Sequence, residues 1–158
     1  MFWDVFNILA LLFAGFLISL AASIILEVPR NLILKNGIIG IIAEAVFILT
    51  NLKFNAAISV LAASIVVTLI SQVAARLYRA PVTVFYIPVF FIFVPGAALY
   101  KIAYYLIQGQ QNQTIDSLFE ALTISGAVAL GVFFGDSFLE IMTTLRNKRK
   151  NKNEEIES

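Results

Sequence analysis

The chain has no cysteine and no histidine, and only 13% of its 158 residues are charged. Without them there is no thiol nucleophile, no imidazole acid–base catalyst, no disulfide, and no usual ligand set for zinc, haem or iron–sulfur clusters. No serine sits with a recognisable base, so the reading expects no enzyme, no cofactor and no metal. The shortage of charge matters as much. A soluble domain is about 25% charged and about 45–50% apolar, whereas 60% of this chain is apolar and its mean hydropathy is +0.91. A soluble fold of this length has too little interior to hide so much Leu, Ile, Phe and Val; lipid removes the need to hide it.

What is present is a series of long apolar runs. Crossing the hydrocarbon core takes about 20 apolar residues in a helix, and five stretches qualify: Phe2–Leu26, Leu32–Leu49, Asn55–Ala75, Val82–Ile107 and Ser117–Leu145. The expected fold is therefore an all-α integral membrane bundle of five transmembrane helices, occupying residues 1–145, followed by a basic and acidic tail at 146–158. Short connections join the spans: Glu27–Arg30, Asn51–Phe54, Arg76–Pro81 and Gln108–Asp116. The first run has no basic start and is longer than the apolar core of a signal peptide, so it reads as a retained helix.

Orientation follows from Lys and Arg. Arg30 and Lys35, Arg76 and Arg79, and the cluster Arg146, Lys148, Arg149, Lys150 and Lys152 fall on one side of a five-span chain. Lys53 and the Gln110–Gln113 loop fall on the other. This predicts an outside N-terminus and a cytoplasmic C-terminus. The terminal basic run then reads as a topology signal beside lipid rather than as a nucleic-acid site, and Asn153–Ser158 as a short disordered tail.

Polar groups at membrane depth mark sites or pairings. Glu44 in the second run and Lys101 in the fourth lie at similar depth, either as a structural ion pair or as a substrate- or proton-binding pair; Lys101 can also snorkel outward. Asp136 and Glu140 share a face of the fifth run. A carboxyl set among apolar groups beside a second carboxyl is suited to exchanging protons, which makes Asp136 and Glu44 the proton-coupling candidates. Arg76 and Arg79 fall on the side from which either acid of the fifth run can be neutralised. Ser64, Thr68 and Gln72 form one polar stripe on the third run, and Ala127, Gly131 and Gly135 a small-residue stripe on the fifth; both read first as helix–helix packing.

The fourth run carries Pro81, Pro88 and Pro95, the last followed by Gly96. Pro81 suits a first turn. Pro95–Gly96 is expected to break the helix, and a break at membrane depth is tolerated only where protein or a watery cavity covers the freed backbone. The half-helix after the break would start with open N–H groups suited to an anion such as a carboxylate. Pro95, Gly96, Tyr100 and Lys101 are accordingly the candidate substrate-binding residues.

The run Ile87–Tyr100, with its Pro95-Gly96-x-x-x-Tyr100 pattern, resembles the corresponding segment of the bacterial threonine/serine exporter family. The Val28-Pro29 turn before Gly37 and Gly40, the Arg79-Ala-Pro81 approach and the small-residue fifth run agree with it. The likeness is to the small five-helix subunit of the split form. It implies a secondary exporter in the bacterial cell membrane, drawing on the proton gradient as an antiporter and carrying threonine- or serine-like amino acids or small dicarboxylates. It also implies a larger partner subunit with five further helices. Two other readings stand beside it: a small homo-oligomeric channel built around the polar stripe, and a non-transporting scaffold subunit.

Overall fold

A computed structural model describes the backbone of residues 2–157 and the side chains of residues 5–138. Every regular element among them is helical: α1 (Phe2–Ile25), α2 (Arg30–Asn51), α3 (Ala56–Tyr78), α4 (Thr83–Phe90), a 3-10 turn (Phe91–Phe93), α5 (Gly96–Ile107) and α6 (Gln111–Glu157). The stretches 5–25, 30–51, 56–78 and 111–138 are each long and apolar enough to cross a membrane. The α4–turn and α5 segments pass the same test only together, and they meet at 47°. The bundle thus holds four spans plus one broken segment. The predicted count of five applies where the bent pair crosses as a single span. Glu140 and the tail side chains lie outside the described residues.

The connections are short because each helix closes on itself. Glu27 and Arg79 adopt left-handed conformations (φ 54° and 51°). The residue after each donates back into its helix, Val28 N–H to Ser23 O at 2.9 Å and Ala80 N–H to Ala75 O at 3.1 Å. At the end of α5 the left-handed position is Gly109 (φ 71°), which adopts it without steric cost. At the start of α3, Asn55 Oδ1 accepts from Ile58 N–H at 3.0 Å, an N-cap that fixes where the helix begins.

Two seams hold the bundle together, and both rest on small residues. α1 packs on α2 where a methyl group added to Gly37 would sit 2.5 Å from the Phe16 ring, and one added to Gly40 would sit 2.7 Å from Gly15 O. α3 packs on α6 in the same way: a methyl on Gly131 would collide with Ser64 Cβ and lie 3.0 Å from Leu61 O, and one on Gly135 would lie 2.7 Å from Thr68 Cβ. The polar stripe of α3 and the small-residue stripe of α6 are therefore two sides of one contact. Ser64 and Thr68 are wholly buried in it. Backbones approaching this closely gain the van der Waals contact that drives association in lipid. α2 packs on α3 between the two seams, α4 rests on α1, α2 and α3, and α5 leans on α6. The core this creates is centred on Ala43, Ala63, Val67, Phe85 and Val89, all fully buried.

Candidate functional site

The break falls where the sequence puts it, and its geometry follows from proline chemistry. Pro95 has no N–H for Phe91 O. The preceding turn tightens into 3-10 geometry, so that Val94 N–H reaches Phe91 O instead, at 3.5 Å. Val94 is then extended (φ −63°, ψ 124°), and Pro95 (φ −75°, ψ 53°) is the centre of an inverse γ-turn. That turn is closed by a hydrogen bond from Gly96 N–H to Val94 O at 2.7 Å. The Gly96 amide is thus occupied. Leu99 N–H returns to Pro95 O at 3.0 Å. The Ala97 and Ala98 N–H groups have no intrahelical acceptor, as expected for the first turn of a helix. Nothing lies within 4 Å of a methyl group built on Gly96, so the backbone there is open to approach.

A cavity of about 200 Å³ lies beside the break, lined by Glu44, Phe47, Val60, Phe93, Pro95 and Ile124, among others. Glu44 is 8% exposed. It is the only ionisable residue in the lining, and the rest is almost wholly apolar. It stands opposite Gly15 of α1, where a methyl group would sit 3.0 Å from Glu44 Cβ. A second, apolar cavity of about 270 Å³, lined by Ile87, Phe91, Val94, Ser125 and Val128 among others, shares Phe93, Val94 and Pro95 with the first. The break is therefore flanked by open volume on both sides.

Of the residues singled out in the sequence, Glu44 and Pro95 are brought together, with Gly96 next in chain. The others lie elsewhere. Lys101 Nζ is 3.7 Å from Glu120 Oε2, and both side chains are about half exposed. The partner of Lys101 is thus an acid on α6, and the pairing considered with Glu44 is not the one formed. Tyr100 is 70% exposed on the outer face of α5, where its ring stacks on Tyr104 with centroids 6.2 Å apart. Asp136 belongs to the α3–α6 seam, where its Oδ1 accepts a hydrogen bond from Gln72 Nε2. Sequence reasoning also passed over Glu120, a charged residue inside a span, and Asn36, which is fully buried in α2. Glu120 is a lone charge in an apolar stretch, and Asn36 stands beside Lys35 near the start of one.

Chemically, the cavity offers one carboxyl and apolar walls; just beyond Pro95, outside that lining, the N–H of exposed Ala97 is free of an intrahelical acceptor, whereas Ala98 is buried. A positive group suits the carboxyl and a negative group suits the free N–H.

The family model described as "Threonine/Serine exporter, ThrE" covers residues 11–138. No curated protein and no solved structure matches the chain.

Proposed function

The chain belongs to the threonine/serine exporter family, and from that membership we propose that it binds a small zwitterionic amino acid in the cavity between Glu44 and the Pro95–Gly96 break. It is a multi-pass membrane protein with a transporter-type role. In this reading the substrate ammonium pairs with the Glu44 carboxylate. Its carboxylate docks on the free N–H group of Ala97, which lies exposed at the start of α5 next to the cavity. A threonine- or serine-sized molecule satisfies both ends at once. A dicarboxylate does not, because its second acid would meet Glu44.

The observation that carries the reading is the shared cavity: an acid and a helix break, distant in sequence, line the same space. Competition supplies coupling. A proton and an ammonium group cannot both occupy one carboxylate, so protonation of Glu44 releases substrate and substrate binding releases a proton. That exchange is proton antiport. The orientation that suits export has the basic turns at Arg30 and Arg79 in the cytoplasm of a bacterial cell membrane, with α4 and α5 crossing as one broken span.

A larger partner subunit completes the assembly in this proposal. What favours a partner over bare lipid is the Lys101–Glu120 pair. It is half exposed, yet at 1.5 Å per residue Lys101 lies about 8 Å from the nearer end of α5 and Glu120 about 14 Å from the nearer end of α6. Charges at that depth are costly against acyl chains. Tyr100 on the same helix is exposed as well. A covering protein face removes that cost.

The test is export of threonine and serine by cells carrying wild type, Glu44→Gln or Gly96→Leu at equal membrane levels. A leucine at 96 enters open space and leaves the fold undisturbed, but obstructs the approach to that N–H group. Both variants are expected to lose export. Full export by either one contradicts the site.

A further inference from the structure

Pro88 stands inside α4, and the carbonyl four residues before it, Val84 O, is left without a helical donor. A carbonyl inside the bundle that is left without a donor is destabilising. The donor comes from a different helix. Asn36 Nδ2 on α2 lies 2.9 Å from Val84 O. The same amide donates to Ser23 Oγ on α1 at 3.0 Å, and Ser23 Oγ donates to Ser19 O at 2.7 Å. Asn36, Ser23 and Ser19 are all fully buried. One side chain thus fastens the first half of the broken helix to both α1 and α2.

The two prolines of the segment are handled in opposite ways. The bond missing at Pro95 is replaced within the chain, by the tightened turn that ends at Val94. The bond missing at Pro88 is replaced across helices, by Asn36. On the far side of the break, α5 leans on α6, and a methyl group built on Gly96 would meet nothing within 4 Å. The half of the segment before the break is tied, and the joint after it is free.

We propose that Asn36 is a positioning residue of the transport machinery: it locks α4 to α1 and α2, so that the helix flexes at Pro95–Gly96 and not at the Pro88 kink. Asparagine suits the task because its NH₂ group carries two hydrogens, one for each acceptor. Serine and threonine supply one, and an ionised aspartate supplies none. The role in transport rests on the exporter reading; the tie itself does not.

A double-mutant cycle tests it. Pro88→Ala returns an N–H to position 88 and lets Val84 O be satisfied inside α4. Asn36→Val removes the amide at similar volume. Export of threonine and serine and the thermal midpoint of the purified protein are measured for all four combinations at equal membrane levels. Asn36→Val alone is expected to lower export on the order of tenfold and to lower the midpoint, the effect of stranding that carbonyl. In the Pro88→Ala background the same substitution is expected to cost no more than about threefold, a non-additivity that only a shared contact produces. An equal loss in both backgrounds, or no loss in either, overturns the assignment. If Asn36→Val alone fails to accumulate in the membrane, the amount inserted becomes the readout. Recovery with Pro88→Ala then supports the tie, and failure to recover contradicts it. The thermal arm needs no substrate. A null cycle in an active exporter therefore removes the role of Asn36 alone, and a positive thermal cycle in a chain that moves neither amino acid removes the exporter reading, and the transport role with it, while the tie stands.

Discussion

Glu44 on α2 and Pro95 at the break between α4 and α5 line one cavity, though they belong to different helices and lie far apart in the chain. The acid supplies charge and the proline supplies an interrupted backbone; neither alone makes a site for a zwitterion. Glu44→Gln keeps the volume and removes the charge. Charged hydrogen bonds are worth about 1.5–3 kcal/mol, so export of threonine or serine is expected to fall on the order of tenfold to a hundredfold. Uptake or efflux assays at matched expression check this.

The pH dependence follows from competition for the same group. In the proposed mechanism protons and substrate ammonium exclude each other at Glu44. Acidifying the side from which substrate loads is therefore expected to weaken apparent affinity in the wild type and to leave Glu44→Gln unchanged. Apparent KM measured across a pH series in vesicles reads this out.

Asp136 offers the contrast. Its Oδ1 accepts from Gln72 Nε2 in the α3–α6 seam. Asp136→Asn keeps an acceptor, so stability is expected to stay within about 0.5 kcal/mol and the pH profile to persist. Asp136→Leu strands the Gln72 amide and is expected to cost about 0.6–1.7 kcal/mol, the range for such bonds in membranes. A flattened pH profile in Asp136→Asn would move the coupling role from Glu44 to Asp136.

The close seam predicts a sharp difference between two glycines on one helix. Gly131→Val meets Ser64 Cβ and the Leu61 backbone, whereas Gly126 faces open space. Overpacking costs about 1–3 kcal/mol. Thermal unfolding in detergent is expected to shift down for Gly131→Val and to stay near wild type for Gly126→Val.

For the Lys101–Glu120 pair, neutralising one partner leaves a lone charge at membrane depth, so Lys101→Leu and Glu120→Leu are each expected to reduce assembled protein more than the double change does. Apparent KM for the amino acid is expected to stay constant in all three, since neither residue lines the Glu44 cavity.

Much of this was readable from sequence, for local reasons. Apolar run length locates spans because backbone groups in lipid must be satisfied within a helix. Pro95 predicts a break because it removes a particular N–H, and the loss is repaired within four residues. The repeat of Ala127, Gly131 and Gly135 predicts a contact face because side chains four apart stack. What was not readable is which helix each face meets. Similar depth suggested Glu44 for Lys101, but depth is one coordinate; the rotation of α5 against α6 selects Glu120. The stretch Gln111–Asp116 looked like loop because it is polar. It is the first part of α6, and polar side chains near a helix end at the interface carry no penalty. The donor for Val84 O likewise comes from Asn36, a residue far away in the chain.

Because the chain contains no cysteine, a single introduced thiol reports on its own surroundings. Val60 lines the Glu44–Pro95 cavity and is 4% exposed, while Ile58, two residues earlier, is 47% exposed on the outside of the bundle. In membranes holding the assembled transporter, Val60→Cys is expected to react with a small hydrophilic maleimide and to be protected by saturating threonine or serine. Ile58→Cys is expected to show no such protection. A Val60→Cys that is inert to the reagent, or that reacts equally fast with and without the amino acid, contradicts a hydrated substrate site at the break.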